Sequence, residues 1–220
     1  MRTVRGARVK AVLWDLDGTL VDTEPYWIAT EFALAEEYGA PWSHEHALEL
    51  VGNDLVESGH YIREVMGLEM SAEDVVEYLL DGVVTHVEQA VPWRPGAVEL
   101  LAALRAAEIP CGLVTMSYQR FVAPILAGLP PETFRVIVTG DQVERGKPHP
   151  EPYLTAAAAL GFAPGECVAI EDSNTGATSA ETAGCPVLVV ENHVDVTPGP
   201  RRTFAASLAD VTVESLVQLP

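Results

Sequence analysis

The chain has 220 residues, of which 48% are hydrophobic and 20% are charged, and its formal net charge at pH 7 is −19. This length suits one large domain, or a main domain that carries a smaller one. The acidic balance argues against nucleic-acid partners and anionic membranes, and no apolar run approaches the roughly 20 residues of a membrane helix. The apolar run before Asp15 is too short for a signal peptide, so we expect a cytoplasmic protein.

The first part of the sequence predicts one strand followed by helices. Residues 9–14 are apolar apart from one lysine, which is typical of a buried strand. From residue 22 to residue 91 the apolar residues recur at helical spacing, and no strand pattern interrupts them. We expect helices at residues 25–38, 43–51, 55–66 and 72–91. The sequence therefore predicts an all-helical cap over residues 22–91.

After residue 91, strand and helix patterns alternate. We expect strands at residues 111–115, 135–138, 167–170 and 187–190, with helices at 97–107, 119–127, 150–160 and 175–183. A loop over residues 191–203, a last strand near 211–213 and a short terminal helix complete the prediction. Such alternation implies right-handed crossovers and a parallel sheet with helices on both faces. The predicted fold class is therefore α/β, a doubly wound core formed by residues 1–21 and 92–220.

Polar side chains stand where the predicted strands end. They are Asp15, Asp17, Thr115, Lys147, Glu171 and Asp172. Ligands of parallel sheets bind at the carboxyl ends of the strands, so these groups should meet at one edge. Burying a carboxylate costs several kcal/mol unless it is paired, hydrogen-bonded or bound to a metal. The sequence therefore predicts a magnesium-dependent site for phosphoryl transfer.

The residue types match the parts of a phosphoryl transfer that passes through a covalent intermediate. Asp15 can be the nucleophile, and Asp17 can protonate the leaving oxygen and then activate the hydrolytic water. Mg²⁺ suits the carboxylates of Asp15 and Asp172 together with a backbone carbonyl and waters. Lys147, one of only two lysines in the chain, would hold Asp15 and the phosphoryl group together. Thr115 and nearby backbone N–H groups would donate hydrogen bonds.

Four segments together resemble the motifs of the haloacid dehalogenase superfamily, in the branch with a helical cap after the first strand. They are DLDGTLVDTE at 15–24, LVTMS at 113–117, GKPHPEPY at 146–153 and IEDSNTG at 170–176. The resemblance covers residues 9 to about 190 in the expected order, and it implies a Rossmann-like core. It also implies a hydrolase that works through an aspartyl-phosphate.

The resemblance assigns roles to residues of these motifs. It makes Asp15 the nucleophile, Asp17 the acid and base, and Thr115 and Lys147 the phosphate contacts. Asp15, the Asp17 carbonyl and Asp172 would hold Mg²⁺, with Glu171 as a direct or water-mediated ligand. The substrate would also meet residues of the first two motifs, which are Gly18, Thr19, Met116 and Ser117.

Departures from the family pattern narrow the reaction. Dehalogenases lack a second aspartate because halide needs no proton, and phosphonate-cleaving members use a cap lysine, which residues 22–91 do not contain. A mutase resembling beta-phosphoglucomutase is the main alternative, but such mutases use cap cations. This cap segment has Arg63 alone against sixteen acidic residues, no arginine near Gly52, and Trp27 where mutases tend to carry histidine. We therefore expect a phosphatase.

The same lack of cap cations predicts a leaving group that is neutral apart from its single phosphate. We expect a sugar or polyol monophosphate as substrate, with Glu24 and Asn53 as cap contacts and Trp27 as core packing. A third alternative is an inactive scaffold that binds a metabolite or a protein. We expect a monomer.

Two further groups of residues have ordinary structural interpretations. The cysteines Cys111, Cys167 and Cys185 are odd in number and widely spaced, which indicates buried thiols rather than disulfides or a zinc site. Arg201 and Arg202 are expected to be solvated near the C-terminus.

Overall fold

The computed structural model describes residues 9–50 and 55–219. Its strands are β1 Ala11–Trp14, β2 Cys111–Val114, β3 Val136–Val138, β4 Cys167–Glu171, β5 Val187–Val189 and β6 Arg202–Phe204. Its helices are α1 Glu24–Tyr38, α2 His44–Leu50, α3 Leu55–Met66, α4 Ala72–Gln89, α5 Ala97–Ala106, α6 Gln119–Ala127, α7 Glu151–Leu160, α8 Asn174–Ala183 and α9 Val213–Val217. No helix in these described ranges has the length and apolar character needed to span a membrane.

The six strands form one parallel sheet in the order β3-β2-β1-β4-β5-β6. Successive side chains of β1 point to opposite faces of the sheet, as the pleat requires. Val12 and Trp14 join one apolar cluster, whereas Ala11 and Leu13 join the other. Because helices cover both faces, every residue of β1 is buried, and the predicted doubly wound α/β fold is confirmed.

The four helices of the cap build an apolar cluster of their own. It is formed by Leu34, Ala35, Leu50, Ile62, Met66, Leu68, Val75 and Leu79. Helix α4 also presents a second apolar face, including Val83 and Val87, to the cluster under the sheet. Helix α4 therefore belongs to both layers and joins the cap to the core. The cap boundaries at residues 22 and 91 stay predictions.

The predicted strand at residues 211–213 is wrong. The last strand is β6, which pairs with β5 through Val187 and Arg202. Residues 208–210 form a 3-10 turn, and the Thr212 side chain then caps α9 by accepting a hydrogen bond from the Ser215 N–H. The apolar residues of this segment pack against the core although they lie in a turn and a helix. Their burial, and not a strand, accounts for the apolar pattern in the sequence.

Arg202 is not the solvated residue that the sequence predicts. Its side chain is 7% exposed, and its guanidinium forms an ion pair with Glu181 of α8 at 3.0 Å. It also donates to the Thr197 carbonyl at 2.9 Å. Arg202 thus fastens β6 to the neighbouring helix. The prediction for the cysteines is confirmed, because all three are buried free thiols.

Candidate active site

The site lies where the strand order changes direction, between β1 and β4. Asp15 follows β1 directly, and its N–H donates to the Ile170 carbonyl at 3.0 Å, so the strand pairing continues to this residue. Glu171 ends β4 and Asp172 follows it. On the other side of β1, the Thr115 N–H donates to the Val138 carbonyl at 2.9 Å. The parallel sheet therefore holds these side chains by their backbone.

A cavity of about 450 Å³ opens at this edge, a volume suited to a small molecule. Nine of the predicted site residues line it: Asp15, Asp17, Gly18, Glu24, Thr115, Met116, Ser117, Lys147 and Asp172. Thr19 and Glu171 are buried behind the wall and are not part of the lining. Asn53, the other predicted cap contact, lies outside the described residues.

Lys147 lies at the centre of a buried charge network. Its Nζ is 2.6 Å from Asp15 Oδ1 and 2.6 Å from Glu171 Oε1. The Tyr153 hydroxyl donates to the same Glu171 oxygen at 2.5 Å. Burial alone would lower the pKa of Lys147, but the two carboxylates raise it above its usual value. Lys147 is therefore a fixed positive charge beside Asp15.

Three carboxylates converge at this point. Oxygens of Asp15, Glu171 and Asp172 all lie within 4.8 Å of one another. Burial raises the pKa of Glu171 and of Asp172, and the Asp15 carboxylate raises Asp172 further. Because one lysine cannot balance three ionised carboxylates, full ionisation of this group requires further positive charge. An all-oxygen donor set of this kind fits a hard divalent cation such as Mg²⁺.

Asp17 is oriented by three hydroxyl groups. Ser117 Oγ donates to Asp17 Oδ2 at 2.6 Å and Thr115 Oγ1 donates to the same oxygen at 3.4 Å. Thr23 Oγ1 donates to Asp17 Oδ1 at 2.9 Å. Burial raises the pKa of Asp17 to about 6, although the Ser117 hydrogen bond lowers it. The Thr115 and Ser117 hydroxyls, expected to contact substrate, therefore contact Asp17 in this structure.

Two glycines leave room for the carboxylates. A Cβ on Gly18, whose φ is +85°, would lie 1.9 Å from Asp172 Oδ2. A Cβ on Gly176, in the first turn of α8, would lie 1.9 Å from Glu171 Oε2. Thr19 also serves this group, because its hydroxyl donates to Asp172 Oδ1 at 3.3 Å. The motif glycines are thus required by close approach of backbone to charge.

The opposite wall of the cavity comes from the cap. It consists of Asp22, Thr23, Glu24, Trp27, Glu31, Leu50, Leu55, Ser58 and Leu79. Trp27 packs on the Phe121 ring with the centroids 5.9 Å apart, so it is both core packing and cavity wall. Burial raises the pKa of Glu24. Within the described lining, the cap contributes three carboxyl groups, those of Asp22, Glu24 and Glu31, and no basic side chain.

Several residues of the site were not singled out from the sequence. They are Thr23, Glu31, Ser58, Tyr153 and His193. Thr23 and Tyr153 stand inside the quoted motifs, and their hydroxyls could have been matched to the aspartate and glutamate they serve. His193 follows β5, so the rule of strand carboxyl ends applies to it as well. Its Nε2 lies 2.8 Å from Asp22 Oδ1.

Comparison with known proteins identifies relatives of this chain. The family described as haloacid dehalogenase-like hydrolase matches residues 12–190. Hexitol phosphatase A of Escherichia coli (strain K12) is 33% identical over 96% of this chain and 94% of its own length. N-acetylmuramic acid 6-phosphate phosphatase of Pseudomonas aeruginosa is 37% identical over 83% of this chain and 82% of its own.

A solved structure shows a similar fold. CbbY from Rhodobacter sphaeroides in complex with phosphate superposes with a TM-score of 0.81, at 25% identity, over 94% of this chain and 99% of that one.

Proposed function

We propose that this protein hydrolyses sugar or polyol monophosphates through a phosphorylated Asp15. The chain belongs to the haloacid dehalogenase-like hydrolase family and is a phosphatase of small phosphorylated metabolites. One observation carries the proposal. Asp15 lies in the cavity, 2.6 Å from the buried Lys147 Nζ, with Asp17 two residues further along the same wall. A nucleophile, a fixed cation and a second carboxyl group thus face one small-molecule cavity.

The first half of the reaction transfers the phosphoryl group to the protein. An Asp15 carboxylate oxygen attacks phosphorus, and the bond from phosphorus to the ester oxygen breaks. Asp17 gives its proton to that leaving oxygen, so the product departs as a neutral alcohol. Lys147 holds the Asp15 carboxylate in place and offsets charge on the transferred oxygens.

The second half regenerates Asp15. Asp17 accepts a proton from water as the water attacks the phosphorus of the acyl phosphate, the bond from phosphorus to the Asp15 oxygen breaks, and inorganic phosphate leaves. The hydroxyls of Thr23 and Ser117 fix the Asp17 carboxyl group for both proton transfers. The Asp17 carboxyl group therefore acts first as the general acid and then as the general base.

Mg²⁺ is the cofactor of this proposal. Asp15, Asp172 and the Asp17 carbonyl would hold it, with Glu171 as a direct or water-mediated ligand. When bound, the ion neutralises negative charge on the phosphoryl oxygens. The support is the buried group of three carboxylates with one lysine as counter-charge.

The cap argues for the substrate class. Its described lining contributes the carboxyl groups of Asp22, Glu24 and Glu31 but no cation, so it offers nothing that would neutralise a second phosphate or a carboxylate on the substrate. A sugar or polyol carrying one phosphate avoids this cost. The beta-phosphoglucomutase-like alternative needs cap cations for a distal phosphate, which makes it the weaker proposal.

Two linkers, residues 19–24 and 91–96, connect the cap to the core, and movement about them would let the cap cover the cavity. The Asp22 N–H donates to the Pro92 carbonyl at 2.9 Å, and the Arg94 N–H donates to the Leu20 carbonyl at 3.0 Å. The linkers therefore lie side by side, as the two strands of a hinge would. A monomeric, cytoplasmic protein that binds neither nucleic acid nor membrane is part of the same proposal.

A phosphate-release screen tests the substrate class. Sorbitol 6-phosphate, glucose 6-phosphate, phosphoglycolate and a nucleoside monophosphate would be compared with added Mg²⁺ and with a chelator. We expect release from the first two in excess of the others, and its loss with chelator. Preference for phosphoglycolate or the nucleotide would contradict the substrate class. A separate isomerisation assay would use glucose 1-phosphate. Its conversion to an isomer without phosphate release would favour the mutase.

A further inference from the structure

Glu31 is a buried carboxylate in the cap wall of the cavity. It follows Trp27 by one helical turn and Glu24 by two, so the three side chains share the cavity face of α1. Its side chain is 4% exposed. Trp42 Nε1 donates to its Oε2 at 3.3 Å, and the described residues provide no hydrogen-bond partner for Oε1. Because Glu31 lines the cavity, this second oxygen is available to a molecule held there.

Ser58 supplies a second unused polar group to the same wall. It lies on α3, is 7% exposed and lines the cavity. Among the described residues no side-chain hydrogen bond engages its hydroxyl, and because Ser58 lines the cavity this hydroxyl can bond a molecule held there. Around these two residues the wall is apolar, with Leu50, Leu55 and Leu79.

We propose that Glu31 and Ser58 form a subsite that hydrogen-bonds hydroxyl groups of the substrate's leaving group. The Glu31 carboxyl can accept from a hydroxyl, and the Ser58 Oγ can both donate and accept. The leucines would pack against the carbon chain between those hydroxyls. This subsite rests on the proposed function, because it selects the alcohol that the phosphoryl transfer releases.

The chemistry of the subsite excludes other leaving groups. A purely apolar leaving group would leave the buried Glu31 oxygen and the Ser58 hydroxyl unpaired, which disfavours its binding. A leaving group with its own carboxylate or phosphate would find no cation in the described cap lining to neutralise it. A neutral polyhydroxyl chain can form hydrogen bonds with Glu31 and Ser58 and carries no charge that needs a cation.

Kinetics with paired substrates test the subsite. Glu31→Leu and Ser58→Ala would each be compared with wild type on sorbitol 6-phosphate and on para-nitrophenyl phosphate, whose leaving group offers no sugar hydroxyls. We expect kcat/KM for sorbitol 6-phosphate to fall roughly 10- to 100-fold in Glu31→Leu and roughly 3- to 10-fold in Ser58→Ala. Activity on para-nitrophenyl phosphate should change less than about threefold, which also reports correct folding. Glu36→Leu, on an exposed position of the same helix, is the matched control and should change neither.

Other kinetic results would reject either the subsite alone or the substrate class together with the subsite. Equal losses on both substrates, or unchanged sorbitol 6-phosphate turnover in both variants, would reject the subsite while leaving the phosphatase proposal intact. If wild type releases phosphate from para-nitrophenyl phosphate or phosphoglycolate but from no polyhydroxyl monophosphate, the substrate class fails and the subsite fails with it.

Discussion

At the scale of single residues, the two lysines of the chain show how burial changes the contribution of an ion pair to stability. Lys10 and Lys147 both lie 2.6 Å from a carboxylate oxygen. The Lys10 side chain is 52% exposed, whereas that of Lys147 is 5% exposed and touches two buried carboxylates. Exposed pairs contribute about 0–1 kcal/mol because water screens them, and breaking a buried pair leaves an unpaired charge behind.

Replacing Lys147 should therefore damage both stability and activity. We expect Lys147→Met to lower the free energy of unfolding by about 3–5 kcal/mol and to lower kcat by at least about 100-fold. Lys10→Met is the matched control and should cost no more than about 1 kcal/mol, with kcat unchanged. Urea unfolding and phosphate release measure the two effects. Equal costs for the two lysines would refute the account of the charge network.

Glu31 should make stability depend on pH. Burial raises its pKa to about 8 from an ordinary value of 4.5, against the Trp42 hydrogen bond, which lowers it; the nearby Glu24 raises it further. Between these values the folded protein keeps a proton that the unfolded chain has lost, so the contribution of Glu31 to stability falls as pH rises. We expect Glu31→Gln to be more stable than wild type by roughly 2 kcal/mol at about pH 9, and by less near pH 4.5.

Urea unfolding of wild type and Glu31→Gln at several pH values measures this difference. The comparison cancels the other buried carboxyl groups, because both proteins contain them. A difference that stayed constant from about pH 4.5 to about pH 9 would show that Glu31 is not protonated in the folded state.

Charged residues of the site were predictable from the sequence, but the targets of the hydroxyls were not. Strand ends place Asp15, Lys147 and Asp172 at one edge whatever their rotamers. Thr19 and Ser117 stand in the same motifs, yet they donate to Asp172 and Asp17. That choice depends on side-chain geometry in three dimensions. Glu31 was missed because one carboxylate among sixteen cap acids gives no local signal of burial.

At the scale of elements, Gly96 sets the start of α5. Its φ is +85°, and a Cβ there would lie 2.2 Å from the Ala209 nitrogen and 2.5 Å from the Leu208 carbonyl carbon. Gly39, after α1, has φ +63° with no described atom within 4 Å of such a Cβ. The first glycine is needed for both conformation and space, whereas the second is needed for conformation alone.

Substitution separates these two requirements. We expect Gly96→Ala to lower the free energy of unfolding by at least about 3 kcal/mol, because the backbone of residues 208–209 would have to move. Gly39→Ala should cost about 1 kcal/mol, the penalty of a left-handed conformation. Urea unfolding of the two variants measures both values, and similar costs would contradict the close approach of Gly96 to residues 208–209.

Long, periodic elements were predictable and the C-terminal edge was not. Helices α1 to α8 and strands β1 to β5 match the sequence patterns closely, because apolar runs or recurring apolar residues mark them in the sequence. Strand β6 has three residues and includes Arg202, so it lacks an apolar alternation. It is held by pairing with β5 and by the contact of Arg202 with Glu181, both of which are long-range.

At the scale of the whole molecule, overall charge and site charge have opposite implications. The net charge of −19 would repel a phosphate ester, but charges beyond a Debye length of about 8 Å are largely screened. Lys147, and the cation that its carboxylate neighbours would hold, act at contact distance. The acidic surface thus concerns solubility, and the acidic cap concerns which leaving group can bind.

Trapping the phosphorylated residue would identify the nucleophile. Borohydride reduces an acyl phosphate, so quenching the enzyme during turnover should convert Asp15 to homoserine, which peptide mass spectrometry can locate. We expect this conversion at Asp15 only in the presence of substrate and Mg²⁺, and its absence in Asp15→Asn together with loss of phosphate release. Reduction at a different aspartate, or phosphate release by Asp15→Asn at the wild-type rate, would contradict the assignment of Asp15 as the nucleophile.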